Sequence, residues 1–204
     1  PPPQMVMNMR IGNMVGFCVG EPWNARAIND RIGFTAATSQ SIWADHPEKI
    51  LGTRRDWVAK NPHTARALVS AVMEAARWIE ASAENKRETA QILSRRAWLN
   101  CKEQYLTGRM LGEYDNGVGQ RWQDAHPIRF FNEGAVSYPY LSDGMWFLTQ
   151  FRRWGLLNAA PDYAGIAQRI NQTAVWQDAA TAVGGMSTPS SPYRSSTLMD
   201  GTVW

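Results

Sequence analysis

From Asn61 onward, apolar residues return at the spacing of an α-helix. Ala65, Leu68, Val69, Val72, Met73, Ala76 and Ile79 fall three or four positions apart and make one apolar stripe. Asn61 suits an N-cap and Pro62 the first helical position, so a long helix is predicted to begin there. Further helices are predicted over 86–96, 102–111, 161–171 and 173–183, and over 142–154, where Gly155 supplies the stop. Before Asn61 the pattern shortens. Residues 4–14, with Met5, Val6, Met9 and Ile11 ahead of Gly12, suit a short helix. The apolar run 15–20 is bounded by glycines and reads as a buried strand; 32–38 and 50–53 read as further strands, with a short helix near Ile42 and Trp43. The glycine- and charge-rich stretch 112–127 is expected to be an irregular loop, and 184–196 a surface loop. Asp200-Gly201-Thr202 looks like a turn entering a strand, and no internal repeat is found.

The first strand runs into Glu21-Pro22-Trp23-Asn24. Pro22 ends any ladder, and Asn24 is placed to cap a helix through Ala25 and Ile28. Strand, tight polar turn and helix is the arrangement in which open α/β sheets present ligand sites.

Composition narrows the class. In 204 residues, 44% are hydrophobic and 19% charged, which is a globular composition with enough chain for a core. The ten tryptophans are expected mainly in core and helix interfaces. No apolar stretch approaches the length of a membrane span. Net charge is +3, and the arginines occur singly or in pairs such as Arg54-Arg55, Arg95-Arg96 and Arg152-Arg153. Direct nucleic-acid binding would call for a denser basic stripe, so none is expected. Cys18 lies in an apolar run and reads as a small buried hydrophobe; a disulfide with Cys101 is left open by sequence. The chain opens on Pro1-Pro2-Pro3 and stops at Trp204, and both ends read as cuts through a longer protein. The absence of a signal peptide therefore says nothing about export.

Catalytic and metal motifs are missing. His46, His63 and His126 have neither an i+4 partner nor a neighbouring cysteine, so no zinc site is expected. No G-x-S-x-G elbow, P-loop or dinucleotide fingerprint occurs, and Gly117-Val118-Gly119 lacks the third glycine. No catalytic residue is assigned.

Several long stretches resemble one family. Pro1 to Met9, Phe17-Cys18-Val19-Gly20-Glu21-Pro22-Trp23-Asn24, Asp45-His46-Pro47-Glu48-Lys49, Ser137-Tyr138-Pro139-Tyr140, Met145 to Gln150 and Arg153-Trp154-Gly155 are similar to the nitrate- and bicarbonate-binding proteins of bacterial ABC importers. The resemblance implies a helix-rich α/β fold of the two-lobed, type II periplasmic-binding-protein kind, represented here by a C-terminal part. Residues 1–60 would end the second lobe with a cleft-facing strand and turn, and 61–204 would be a helical remainder returning to the first lobe. The implied function is capture of a small oxyanion, nitrate or nitrite, for ABC permease subunits, without catalysis. Implied alternatives are a cytoplasmic nitrate sensor holding an antiterminator partner and a bicarbonate-binding protein. An enzyme of a related two-lobed fold is less favoured.

The family places the Gly20-Glu21-Pro22-Trp23 turn near the ligand, and the position of Lys49 close to the anion. Nitrate is planar and singly charged, so one cation plus neutral donors would hold it; otherwise Lys49 solvates a loop. Trp23 is either a flat wall for the anion or packing behind the strand. Glu21 is awkward beside an anion and more naturally pairs with a cation or caps a helix end. No cofactor is implied, apart from Ca²⁺ should the ligand be bicarbonate. The implied location is the periplasm or the outer face of the inner membrane, held through a transporter or a lipid anchor; the sensor alternative would be cytoplasmic.

Overall fold

A computed structural model describes all 204 residues. In chain order the elements are α1 (Pro2–Arg10), α2 (Trp23–Asn29), α3 (Ser39–Ile42), α4 (Arg55–Lys60), α5 (Pro62–Glu80), α6 (Ala83–Ser94), α7 (Gln104–Leu111), β1 (Glu113–Asp115), β2 (Arg121–Gln123), a 3-10 segment (Asn132–Ser137), α8 (Leu141–Arg153), α9 (Tyr163–Ile170) and α10 (Thr173–Val183). The chain divides into two compact units, residues 1–41 with 79–129, and residues 42–78 with 130–204. The 60/61 division expected from the sequence falls inside the second of these.

In the first unit α1 packs on α2, α2 on α7, and α7 on both α6 and β1. Val6, Ala27, Ala90, Leu106 and Met110 are buried there. Asp30, just past α2, gathers three elements: it ion-pairs with Arg10 of α1 and Arg26 of α2, and accepts from the Tyr105 hydroxyl of α7 at 3.2 Å. Ser82 caps α6 by accepting from the Asn85 amide at 3.0 Å. Gly112 ends α7 at φ +80, where a Cβ would meet Gln123 Nε2 at 2.7 Å and Pro127 Cβ at 2.9 Å, so only glycine fits.

The stretch expected to be an irregular loop, 112–127, contains the β1–β2 antiparallel hairpin, with Tyr114 opposite Trp122. Its turn is built by side chains. Asn116 Oδ1 accepts from the Val118 and Gln120 amides, and Asp115 Oδ1 accepts from the Gly117 amide at 2.7 Å. The Tyr114 and Trp122 rings stack 5.5 Å apart.

In the second unit Met73 of α5, Tyr138, and Trp176 and Ala179 of α10 form a buried cluster. Trp176 donates its indole N–H to Ser137 Oγ at 3.0 Å. Asp162 caps α9, accepting from the Gly165 amide. α8 and α9 pack closely at Gly144, where a Cβ would meet Asn171 Oδ1 at 2.8 Å. The tail 184–196 has no regular structure, yet Arg194 forks onto Asp143 of α8 at 2.9 and 2.8 Å. Beyond it, Asp200-Gly201 forms a turn across which Thr197 and Val203 pair antiparallel.

Three expected strands do not form. Residues 15–20, 32–38 and 50–53 have no ladder, and the hairpin is the only sheet. The amides of 15–20 and 50–53 bond to no other segment, and a strand without a partner is not a strand. Val15, Phe34, Ile50 and Leu51 are accordingly exposed, and so is Cys18, which is not the buried hydrophobe expected. Cys18 and Cys101 are both free thiols, and burial raises the Cys101 thiol above its usual range against the pull of Arg26. Of the tryptophans, Trp43 and Trp176 are buried, whereas Trp98 and Trp154 stand largely in solvent. No helix is long and apolar enough to cross a membrane.

Candidate functional site

The turn preceding α2 is the most organised polar feature of the first unit. Pro22 is fully buried and follows a cis Glu21–Pro22 peptide, while Gly20 and Trp23 are half-buried. Asn24 does not cap α2 as the sequence predicts; its amide reaches back to the Val19 carbonyl and closes the turn. Pro22 holds the N-cap position, and Glu21, one residue before it, does the capping, with Oε2 accepting from the Ala25 amide at 2.9 Å. Its other oxygen, Oε1, lies 2.9 Å from Nε of Arg109 on α7. Both roles considered for Glu21 from sequence, pairing a cation and capping a helix end, are thus filled at once.

Arg109 is an unusual partner. Its side chain is 9% accessible, against 28% for Glu21. The guanidinium lies over the Tyr114 ring, 4.1 Å from its centroid, and Nη2 reaches the Asp115 carbonyl at the long distance of 3.5 Å. Nε, although 2.9 Å from Glu21, is not aligned for a hydrogen bond, and Nη1 is buried without a partner, so the contact with Glu21 is an ion pair by charge. Burial pushes the Glu21 carboxyl above its usual range, and the Ala25 amide and the Arg109 charge oppose the rise without cancelling it. The Tyr114 hydroxyl is likewise raised by burial, which Arg109 counters.

Lys49 belongs to the second unit, in the stretch after Trp43 that has no regular structure. Its side chain is 83% exposed and its ammonium meets Glu48 Oε1 at 2.8 Å. Just before it, Trp43 packs against Trp146 with ring centroids 4.6 Å apart, and Arg194 donates to the Asp45 carbonyl. Of the residues singled out by sequence, Gly20, Glu21, Pro22 and Trp23 therefore share one turn. Arg109 and Tyr114 were not singled out. The one available signal was a cation set between Tyr105, Leu106 and Met110 on a helix that buries all three. No three His, Cys, Asp or Glu side chains gather where a metal ion could sit.

Comparison with known proteins gives these features a context. Residues 1–94 match the NMT1-like family. The nitrate/nitrite binding protein NrtA of Synechocystis sp. is 43% identical over 98% of this chain, which spans 46% of that relative's length. The bicarbonate-binding protein CmpA of Synechococcus elongatus is 35% identical over 90% of the chain and is covered to 42%. The crystal structure of the periplasmic nitrate-binding protein NrtA from Synechocystis superposes on the whole chain with a TM-score of 0.94 at 40% identity, and 54% of that chain is covered. The fold is that of a periplasmic binding protein. The chain is similar to these nitrate- and bicarbonate-binding proteins over nearly its whole length and spans about half of theirs. Its relatives of this kind are binding proteins rather than enzymes.

Proposed function

We propose that this chain is part of a solute-binding component of an ABC importer and takes nitrate or nitrite. The observation that carries this reading is its 43% identity, over nearly the whole chain, to a protein named for nitrate and nitrite, compared with 35% to the bicarbonate-binding relative. We propose further that it works in the periplasm, which the name of the superposed structure supports, and delivers its ligand to permease and ATP-binding subunits.

Within the chain, the Gly20-Glu21-Pro22-Trp23 turn and Lys49 are the proposed ligand-binding residues. The turn is supported by its rigidity, since buried Pro22, the Asn24 closure and the Glu21 cap hold the backbone from three sides. Trp23 would offer a flat aromatic surface to a planar anion, and Gly20 allows the ligand to approach the backbone. Glu21 would not face the anion as a free carboxylate, because Arg109 neutralises it. Lys49 would contribute a single mobile cation, released from its exposed pairing with Glu48.

A second reading, bicarbonate capture, draws on the CmpA likeness. Thermal unfolding with each anion separates the two. A ligand that binds only the folded chain raises its melting temperature in proportion to the logarithm of concentration over Kd. Nitrate and nitrite are expected to raise it at millimolar concentration. A rise with bicarbonate and Ca²⁺ but not with nitrate would reverse the assignment.

A further inference from the structure

We infer that Arg109 is a positioning residue of the anion site proposed at the Gly20–Trp23 turn: it holds the Glu21 carboxylate against α7 and cancels its charge. The inference rests on the reading of that turn as a ligand site.

A carboxylate beside a site for a negatively charged ligand is a liability unless a cation is fixed to it. Glu21 has such a cation at 2.9 Å, supplied from a helix 88 positions along the chain. The arrangement is not explained by stability alone. Arg109 is buried with Nη1 unpartnered, and an unpaired donor in a desolvated guanidinium is costly. An apolar side chain would fill the same space between α7 and Tyr114 without that cost. What the apolar side chain could not do is carry charge to Glu21. The groups acting on Glu21 are the Ala25 amide from α2, Arg109 from α7 and Tyr114 from β1 behind the guanidinium, while Asp115 shares the Arg109 charge and Asp124 faces Tyr114. Arg109 is the only cation among them, so its removal leaves the carboxylate uncompensated. Burial already pushes the Glu21 carboxyl upward, and loss of Arg109 would push it further.

The test is nitrate affinity as a function of pH in four versions of the chain: wild type, Arg109→Gln, Arg109→Lys, and Glu21→Gln with Arg109→Gln. Near neutral pH, Arg109→Gln is expected to weaken nitrate binding about tenfold or more, the scale of losing an opposite charge fixed beside a carboxylate. Affinity should recover as the pH falls and Glu21 takes up its proton, and it should recover in the double variant at every pH. Arg109→Lys should retain most of it. His46, His63 and His126 are common to all versions, so the difference between versions isolates Glu21. A uniform loss at every pH that the double variant fails to repair would mark Arg109 as packing only and overturn the inference; so would unchanged affinity.

Absence of nitrate binding by the wild-type chain would instead overturn the function proposed above. The Glu21 carboxyl carbon, followed by NMR, then decides the role of Arg109 without ligand. Its titration midpoint should move up in Arg109→Gln, and an unmoved midpoint refutes the role. Should Arg109→Gln not fold, Arg109→Met, an apolar side chain of similar length, carries the test: the Glu21 midpoint should move up in it, and an unmoved midpoint refutes the role.

Discussion

Glu21 shows how far single residues could be read. Its two structural duties followed from its chemistry, because a carboxylate at a strand-to-helix turn either caps the helix or finds a cation. The identity of the cation did not follow. Arg109 lies on a helix that the apolar pattern already predicted, and nothing local marks it as the partner of a residue so distant in sequence. The pair leads to a stability prediction. Arg109→Gln strands a carboxylate whose side chain is 28% exposed, and is expected to cost about 1–3 kcal/mol near neutral pH, below the usual figure for a fully buried pair. Chemical denaturation would measure it, and an unchanged midpoint would show the pair to be idle. The sign with pH is also set. The Glu21 carboxyl is raised in the folded chain, so its contribution is fully present below its unfolded value and is lost as pH rises through the folded one. Glu21→Gln should therefore flatten that part of the stability profile. Lys49 makes the opposite case, since its exposed pairing with Glu48 gives no hint of function and only the family resemblance marks it. Lys49→Ala is expected to weaken nitrate binding about tenfold, as removal of a charge-assisted contact does; unaltered affinity would take Lys49 out of the site.

Elements were legible where their signals are local. The helices after Asn61 declared themselves by spacing and by end residues such as Pro62 and Gly155, and the structure places them within a few positions of expectation, with Ser82 and Asp162 as caps the sequence reading did not name. Strands failed because the signal for a strand is only half local. The run 15–20 has the composition of a buried strand, but a ladder needs a second backbone, and none is supplied within this chain. The reverse error occurred at 112–127, where glycines and charges concealed a hairpin held by the Asn116 and Asp115 side chains. Asn116→Ala removes two accepted amide bonds and is expected to cost about 1–2 kcal/mol, with faster amide exchange confined to 113–123. Uniform exchange across the first unit would mean that the hairpin is not a separate element. Its turn should also loosen in acid. The Asp115 carboxyl is held below its usual range by the Gly117 amide and then by Arg121, so its support is present above its unfolded value and fades as pH falls through the folded one.

For the molecule as a whole, length and composition narrowed the field, and long matching stretches then named a family. The superposition bears out that family over the entire chain. The proposed ligand rests on degree of kinship rather than on the fold, since both nitrate- and bicarbonate-binding relatives match this chain. Isothermal titration of the chain with nitrate, and with bicarbonate in the presence and absence of Ca²⁺, is the most direct measurement. The account predicts saturable heat with nitrate at millimolar concentration or below, and weaker or no binding of bicarbonate whether or not Ca²⁺ is present. Saturable binding of bicarbonate that depends on Ca²⁺, or no heat from nitrate at all, would contradict it.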